Sequence, residues 1–273
     1  MQRLRLQMDL VDRKILQLLQ QRTRIAGKIG AAKRRHGADV YVPEREREVR
    51  ARVTYLSRGK LSPRAVTAIY REILSSSRAA QGQAPIGLLR ASASTVIPAA
   101  RWCFGACDDF LPKAAWRELA AGLQSGSLIL ALLTGDELAR VLRAAPGRTE
   151  FLRRFAVAGD FSPVPAGGTP LAQRIFVVLP RGKGASGTTT QILILIECKF
   201  TVNAVKSLLH FMPDHPIHAE SLPLRPHAAL ARLTLARPVE SVLATSLLLA
   251  ASKSAGLSVS ILGLYPGTED YGG

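Results

Sequence analysis

The stretch Leu18–Arg35, LLQQRTRIAGKIGAAKRR, sets a cation where its helix calls for an apolar side chain. Apolar residues recur at Leu4, Met8, Val11, Ile15 and Leu18, then at Ile25, Ile29 and Ala32. That spacing of three and four residues marks one face of a long amphipathic helix. Position 22 lies on the same face and is arginine. An arginine in such a seam ordinarily makes an interhelical ion pair that fixes register; the alternative is a cation held ready for an anionic ligand. The helix, from about Leu4 to Arg35, is roughly 45 Å long at 1.5 Å per residue, too long to bury its seam against one short domain. A second copy of the chain is the expected partner.

Two more helices follow. Pro43 with Glu44 and Glu46 opens the second, because proline suits the first helical position and carboxylates suit the positive end of the helix dipole. Its apolar face runs Val49, Val53, Leu56, and Gly59 ends it. Ser62 caps the third, with Pro63 just inside and an apolar face of Val66, Ile69, Tyr70, Ile73 and Leu74. Each face turns polar when extended by one more step: Glu46 precedes Val49, while Ser77 and Gln81 follow Ile73. Lys33 lies eleven residues after Arg22, about three turns, and points roughly the same way. Arg5 is about a quarter turn off and could serve the same pocket only from a second chain. A buried cation costs several kcal/mol unless an anion meets it. Glu46 is the one carboxylate at a seam position against Arg22, Lys33 and Arg45, so surplus positive charge is left for a ligand.

Composition sets the frame for this reading. The 273 residues, 47% hydrophobic, suggest two or three folded domains. The formal net charge is +17, and residues 1–81 alone hold 19 Lys and Arg against 7 Asp and Glu. Such a basic stripe fits nucleic acid, an anionic surface or a small polyanion. The N-terminus carries Arg3 and Arg5 within its first five residues, no apolar h-region follows, and no run reaches the length of a membrane span, so a cytoplasmic protein is expected. Cys103, Cys107 and Cys198 form no CxxC pair, which argues against a zinc site; all three are expected to be buried or half-buried.

Residues 1–81 resemble the all-helical, type II chorismate mutase family, in which three helices per chain interlock as a dimer. The matching pieces are LRLQMDLVDRKILQLLQQR, KIGAAKRR, VPEREREV and IYREILSSSRAAQ. The resemblance implies that Arg22 and the second copy's Arg5 clamp the two carboxylates of chorismate. Lys33 and Gln81 would donate to its ether oxygen, while Arg45, Glu46 and Ser77 complete the pocket, Glu46 toward the ring hydroxyl and Ser77 toward a carboxylate. The reaction so implied is an intramolecular rearrangement of chorismate to prephenate that uses no nucleophile, proton transfer, metal or cofactor. A protein contributes by holding the compact conformer and placing donors where charge grows on the breaking C–O bond. One departure stands in the second helix: where the family commonly has Asp-Pro-x-Arg-Glu, this chain has Val42, Pro43, Glu44, Arg45, Glu46. Weaker affinity is the expected consequence.

Beyond the break at Gly82–Pro85, residues 86–182 alternate apolar runs with helical patterns, an α/β signature. AARWCFGACDDF is similar to the first lobe of prephenate dehydratase, in shortened form. The dehydratase motif Thr-Arg-Phe reads Gln173, Arg174, Ile175 here, so its threonine is missing. GKGASGTTT, residues 182–190, reads as a linker by composition. Residues 191–267 give the order βαββαβ and resemble an ACT domain, which implies an amino-acid effector. Its effector motifs are altered, to Val202, Asn203, Ala204, Val205 and to Glu220, Ser221, Leu222, Pro223. The expected architecture is therefore a three-helix mutase domain (1–81), a dehydratase-like α/β domain (86–182) and an α+β ACT-like domain (191–267). Three functions stay open: a chorismate mutase, a bifunctional chorismate mutase/prephenate dehydratase, and a non-enzymatic basic helical dimer on nucleic acid. Seam placement of Arg22, Glu46, Ser77 and Gln81 disfavours the last, since phosphate-tracking residues lie on exposed faces and few aromatics are present for stacking.

Overall fold

The computed structural model describes all residues except 39–40, 164–168, 183–187, 198–203, 211, 213–216, 226 and 266–273. The chain divides into two units: residues 1–85 with 100–109, and residues 86–99 with 110–273.

The first unit holds three helices, α1 (Gln2–His36), α2 (Pro43–Ser57) and α3 (Pro63–Ala80). Gly37 closes α1 in the left-handed conformation, φ 62°, and Lys33, Arg34, Arg35 and His36 crowd its last turn, where cations suit the negative end of the dipole. Ser62 caps α3 by accepting the Ala65 N–H at 3.2 Å. α1 uses two different faces. A small one, Ala26 and Gly30, is buried. Gly30 is required there because a Cβ would stand 2.5 Å from the Gln81 carbonyl oxygen. The large apolar face is uncovered within the chain: Leu4 is 63% exposed, Leu18 65%, Ile25 50% and Ile29 46%. Each such side chain left half in water forgoes roughly 1 kcal/mol of burial.

The last five residues of helix α4 (Ala93–Phe104) and the turn after it, Gly105–Asp109, also belong to this unit. Two expectations are corrected here. Cys107 is exposed, because the turn aims its backbone N–H inward at the Ser75 hydroxyl, 3.0 Å away, and its thiol outward. On α2, Leu56 is 63% exposed and continues no buried face within the chain. Cys103 is half-buried as expected, and Cys198 lies outside the described residues.

The second unit is built on two sheets. The first comprises β1 (Ile86–Leu89), β2 (Phe110–Lys113), β3 (Leu130–Thr134), β4 (Phe155–Phe161) and β5 (Ile175–Pro180) in the order β2-β1-β3-β5-β4. β1 pairs in parallel with β2 and β3, whereas β5 runs antiparallel to both β3 and β4, so the sheet is mixed. Helices α5 (Trp116–Ser125), α6 (Gly135–Arg143) and α7 (Ala145–Arg154) join these strands. The sequence reading lacks β2, α7 and β4. β2 carries Pro112 and is an edge strand, where a missing N–H is tolerated. Thr134 and Glu137 form a reciprocal capping box that starts α6.

The second sheet comprises β6 (Thr188–Glu197), β7 (Ile217–Arg225), β8 (Ala228–Glu240) and β9 (Ser258–Tyr265), antiparallel in the order β7-β8-β6-β9. With α8 (Ala204–His210) and α9 (Ser241–Ser254) the elements run βαββαβ. The linker reading fails at its end: Thr188 and Thr189 pair with Glu240 and Val239 as the start of β6, and residues 183–187 lie outside the described residues. Strand alternation gives β6 two faces. Ile192, Ile194 and Ile196 pack with α8 and α9, while Leu193 and Leu195 join a second core with Leu133, Leu138, Phe151, Phe155 and Val157. The two sheets thus share one apolar interior. β9 approaches β4 so closely that a Cβ at Gly263 would lie 2.2 Å from the Val157 oxygen.

Candidate functional site

The seam arginine is the anchor of the site. Arg22, half-buried, donates through Nη1 to the Ser77 hydroxyl and to the Ile73 carbonyl, the latter at 3.2 Å. Burial pulls its pKa below the ordinary arginine value, while Tyr70 and Glu46 oppose that shift, and it remains cationic at neutral pH. Ser77 is 7% exposed and its hydroxyl donates to the Ile73 carbonyl at 2.7 Å. α1 and α3 therefore bring together the two residues that the spacing had placed on facing stripes.

Gln81, at the end of α3, donates through Nε2 to the Ser77 carbonyl at 3.2 Å, and its Oε1 is buried without a hydrogen-bond partner. Its backbone carbonyl receives Arg34 Nη1 at 2.5 Å. Lys33 is half-buried one residue before Arg34. Glu46 faces inward from α2, its side chain 15% exposed, with Arg78 Nη1 on Oε1 at 2.5 Å and Arg50 at 3.8 Å. Two expected members stand apart within one chain. Arg5 is exposed on α1, and Arg45 points to solvent in an i,i+3 pair with Glu48 at 2.8 Å. Such an exposed pair is worth little to stability.

Arg78 is the functional neighbour that the sequence reading missed. It is 3% exposed and bridges two carboxylates, Glu46 and Asp108. Burial alone would lower its pKa, but the hydrogen bonds and charges of Asp108 and Glu46 outweigh that and raise it. The signal was present in the spacing, since Val66, Tyr70, Leu74 and Arg78 step along α3 by four.

In the second unit, Arg174, the residue set against the dehydratase motif's arginine in the sequence reading, is buried and ion-paired with Asp160. Arg232 lies 3.5 Å from the same carboxylate and 3.0 Å from Glu220. Tyr265 is fully buried beside them, and burial, with Asp160 adding to it, raises its pKa well above the ordinary tyrosine value. The charges of this cluster pair with one another, although Asp160 Oδ1, Arg232 Nε and the Tyr265 hydroxyl are buried without a hydrogen-bond partner. Among the described residues no group of three or more His, Cys, Asp or Glu is placed to hold a metal ion, and no helix is long and apolar enough to cross a membrane.

Comparison with known proteins bears on the helical unit. Residues 4–82 match the family Chorismate mutase type II. The chain is 31% identical over 120 residues to the bifunctional chorismate mutase/prephenate dehydratase of Aquifex aeolicus (strain VF5), a match covering 42% of this chain and 33% of that protein. The match is thus longer than the helical domain, yet it spans about a third of the relative's length. Among solved structures, prephenate dehydratase from Streptococcus mutans aligns over 67% of this chain and 98% of its own, at 16% identity and a TM-score of 0.46. A structure described as GqqA, a novel type of quorum quenching acylases, aligns over 68% and 96%, at 16% identity and a TM-score of 0.47. Both structural likenesses are loose.

Proposed function

We propose that the helical unit is a chorismate mutase, converting chorismate to prephenate in a dimer whose two pockets each take Arg5 from the second copy. The observation that carries this reading is the half-buried Arg22, held against Ser77 inside the segment that matches the type II family. Arg22 and Arg5 grip the substrate carboxylates bidentately, which fixes the compact conformer that reacts. Lys33 and Gln81 face the ether oxygen, where a donor is worth most as the C–O bond breaks. Arg45 and Glu46 complete the pocket beside Ser77. The exposed face of α1, from Leu4 to Ile29, supports the dimer, because burying it against its own copy recovers the apolar contact that one chain leaves in water.

In this reading residues 1–81 are the mutase domain, 86–182 a shortened dehydratase-like domain and 191–267 an ACT-like domain. The α/β part serves assembly or an altered regulation. Gln173 replaces the expected threonine, and Arg174 is engaged by Asp160. The relative's bifunctional name favours one other reading, a mutase that also dehydrates prephenate. Incubating the pure protein with chorismate separates the cases, because mild acid turns prephenate into phenylpyruvate without an enzyme. Prephenate that persists until acid is added is the expected result. Phenylpyruvate at neutral pH establishes the bifunctional reading. Unchanged chorismate overturns both, and steeply salt-dependent DNA binding would then favour the nucleic-acid reading.

A further inference from the structure

The segment Ala100–Asp109 belongs to the helical unit although residues 86–99 separate it from that unit's other residues in sequence, and it is fastened there by polar contacts. Arg71 donates to the Trp102 carbonyl at 2.9 Å and lies 4.8 Å over the Trp102 ring. The Ala106 N–H donates to Glu72 at 2.9 Å. At the end of the segment Asp108, 7% exposed, receives Ser75 Oγ at 2.9 Å and Gln83 Nε2 at 3.0 Å. Its main partner is Arg78, whose Nε and Nη2 reach the two carboxylate oxygens at 3.1 and 2.7 Å. That bidentate grip fixes the guanidinium plane. It leaves Nη1 aimed at Glu46 Oε1, 2.5 Å away.

We infer that Asp108 is a positioning residue for Glu46, acting through Arg78, so that the mutase pocket is completed by a segment outside the three helices. The physical reason is orientation. Without Asp108 the guanidinium keeps only the Phe104 carbonyl, which Nη2 also reaches, and a single acceptor does not fix its plane; Glu46 then has Arg50, now 3.8 Å away, as the competing cation. Loss of the Asp108 charge therefore moves Glu46 without touching any group that meets substrate.

The inference rests on the mutase reading, and a double-mutant cycle on the full chain tests both. Asp108→Asn is expected to raise KM for chorismate about tenfold with a smaller fall in kcat. In a Glu46→Gln background it is expected to add nothing, because the residue it positions is already disabled. Independent, multiplying losses would overturn the inference, since a merely structural role predicts them. Arg78→Lys gives the same prediction and guards against misfolding of the asparagine variant, as a point charge cannot hold both carboxylates in one plane. Hydrogen exchange without substrate reads the bridge separately: amides of Glu46–Arg50, the first in α2 with backbone acceptors, should exchange at least tenfold faster in Asp108→Asn, and unchanged exchange would refute it. A wild type inert on chorismate overturns the mutase reading instead, and the exchange result then decides the bridge alone.

Discussion

The two units bury their charges and their apolar surface in opposite ways. In the α/β unit nearly every large apolar side chain of the sheets is enclosed, with Leu193, Leu195, Phe155 and Leu133 in one interior. Its buried ions, Asp160, Arg174 and Arg232, meet one another. In the helical unit α1 buries only Ala26 and Gly30 and leaves its large apolar face exposed, while a half-buried arginine rests on a serine hydroxyl. The α/β unit leaves Val242, Leu243 and Leu249 of α9 in water but encloses the interior of its sheets. The helical unit leaves the apolar face of its longest helix uncovered beside a half-buried cation, the pairing that the proposed mutase uses.

The comparison breaks first at the apolar face. Glutamates at both Ile15 and Leu18 should abolish the dimer in analytical ultracentrifugation and, with it, chorismate turnover; a monomer of normal activity would show that each chain is self-sufficient. In the α/β unit the largest effect is expected from Asp160→Ala, which strands Arg174 as a buried cation, leaves Arg232 with Glu220 alone and should lower stability by about 3–5 kcal/mol in urea unfolding. Turnover in the surviving folded fraction should be unaffected. Arg22→Ala and Lys33→Ala should each reduce kcat/KM by about 10²–10³-fold, the first by releasing a substrate carboxylate from its reactive conformer and the second by removing a transition-state donor, while circular dichroism and dimerisation stay unchanged. Ser62→Ala sharpens the contrast at the small end, removing one cap of α3 and costing about 1 kcal/mol. Smallest of all is a labelling difference. Burial pushes the Cys103 thiol up to about 12, so peptide mapping after alkylation at pH 8 should find Cys107 modified and Cys103 spared.

The helical unit was largely legible in the sequence because its signals are local and periodic. Pro43, Ser62 and Gly37 mark ends, and steps of three and four carried Arg22 and Ser77 onto stripes that do meet. The same stepping contained Arg78, but a basic residue beside the polar run Ser75–Ser77 reads as surface until its partner is known. That partner, Asp108, lies 30 residues away, and no period connects the two. In the α/β unit the central strands were readable as apolar runs. The edges were not, nor was α7: β2 carries Pro112, the register of β4 shifts between Val157 and Gly159, and α7 opens on Ala-Pro-Gly and carries three arginines. Side-chain direction was the other limit. Arg45 stands one residue from Glu46, yet it turns to Glu48 and solvent, a choice set by rotamer and local charge.

The discontinuity of the helical unit also bears on how the protein is made. Its last piece, Ala100–Asp109, emerges after residues 86–99, which belong to the other unit. At about 5–20 residues per second, synthesis of the intervening chain takes on the order of seconds, far longer than helix formation. The three helices therefore wait on the ribosome with Arg78 still open, while β1 is already outside and has not met β3. Neither unit can finish before the other has begun. The order of synthesis thus interleaves the two folding reactions, and a pause about one exit-tunnel length downstream of the Asp108 codon would hold the nascent chain at its most vulnerable point.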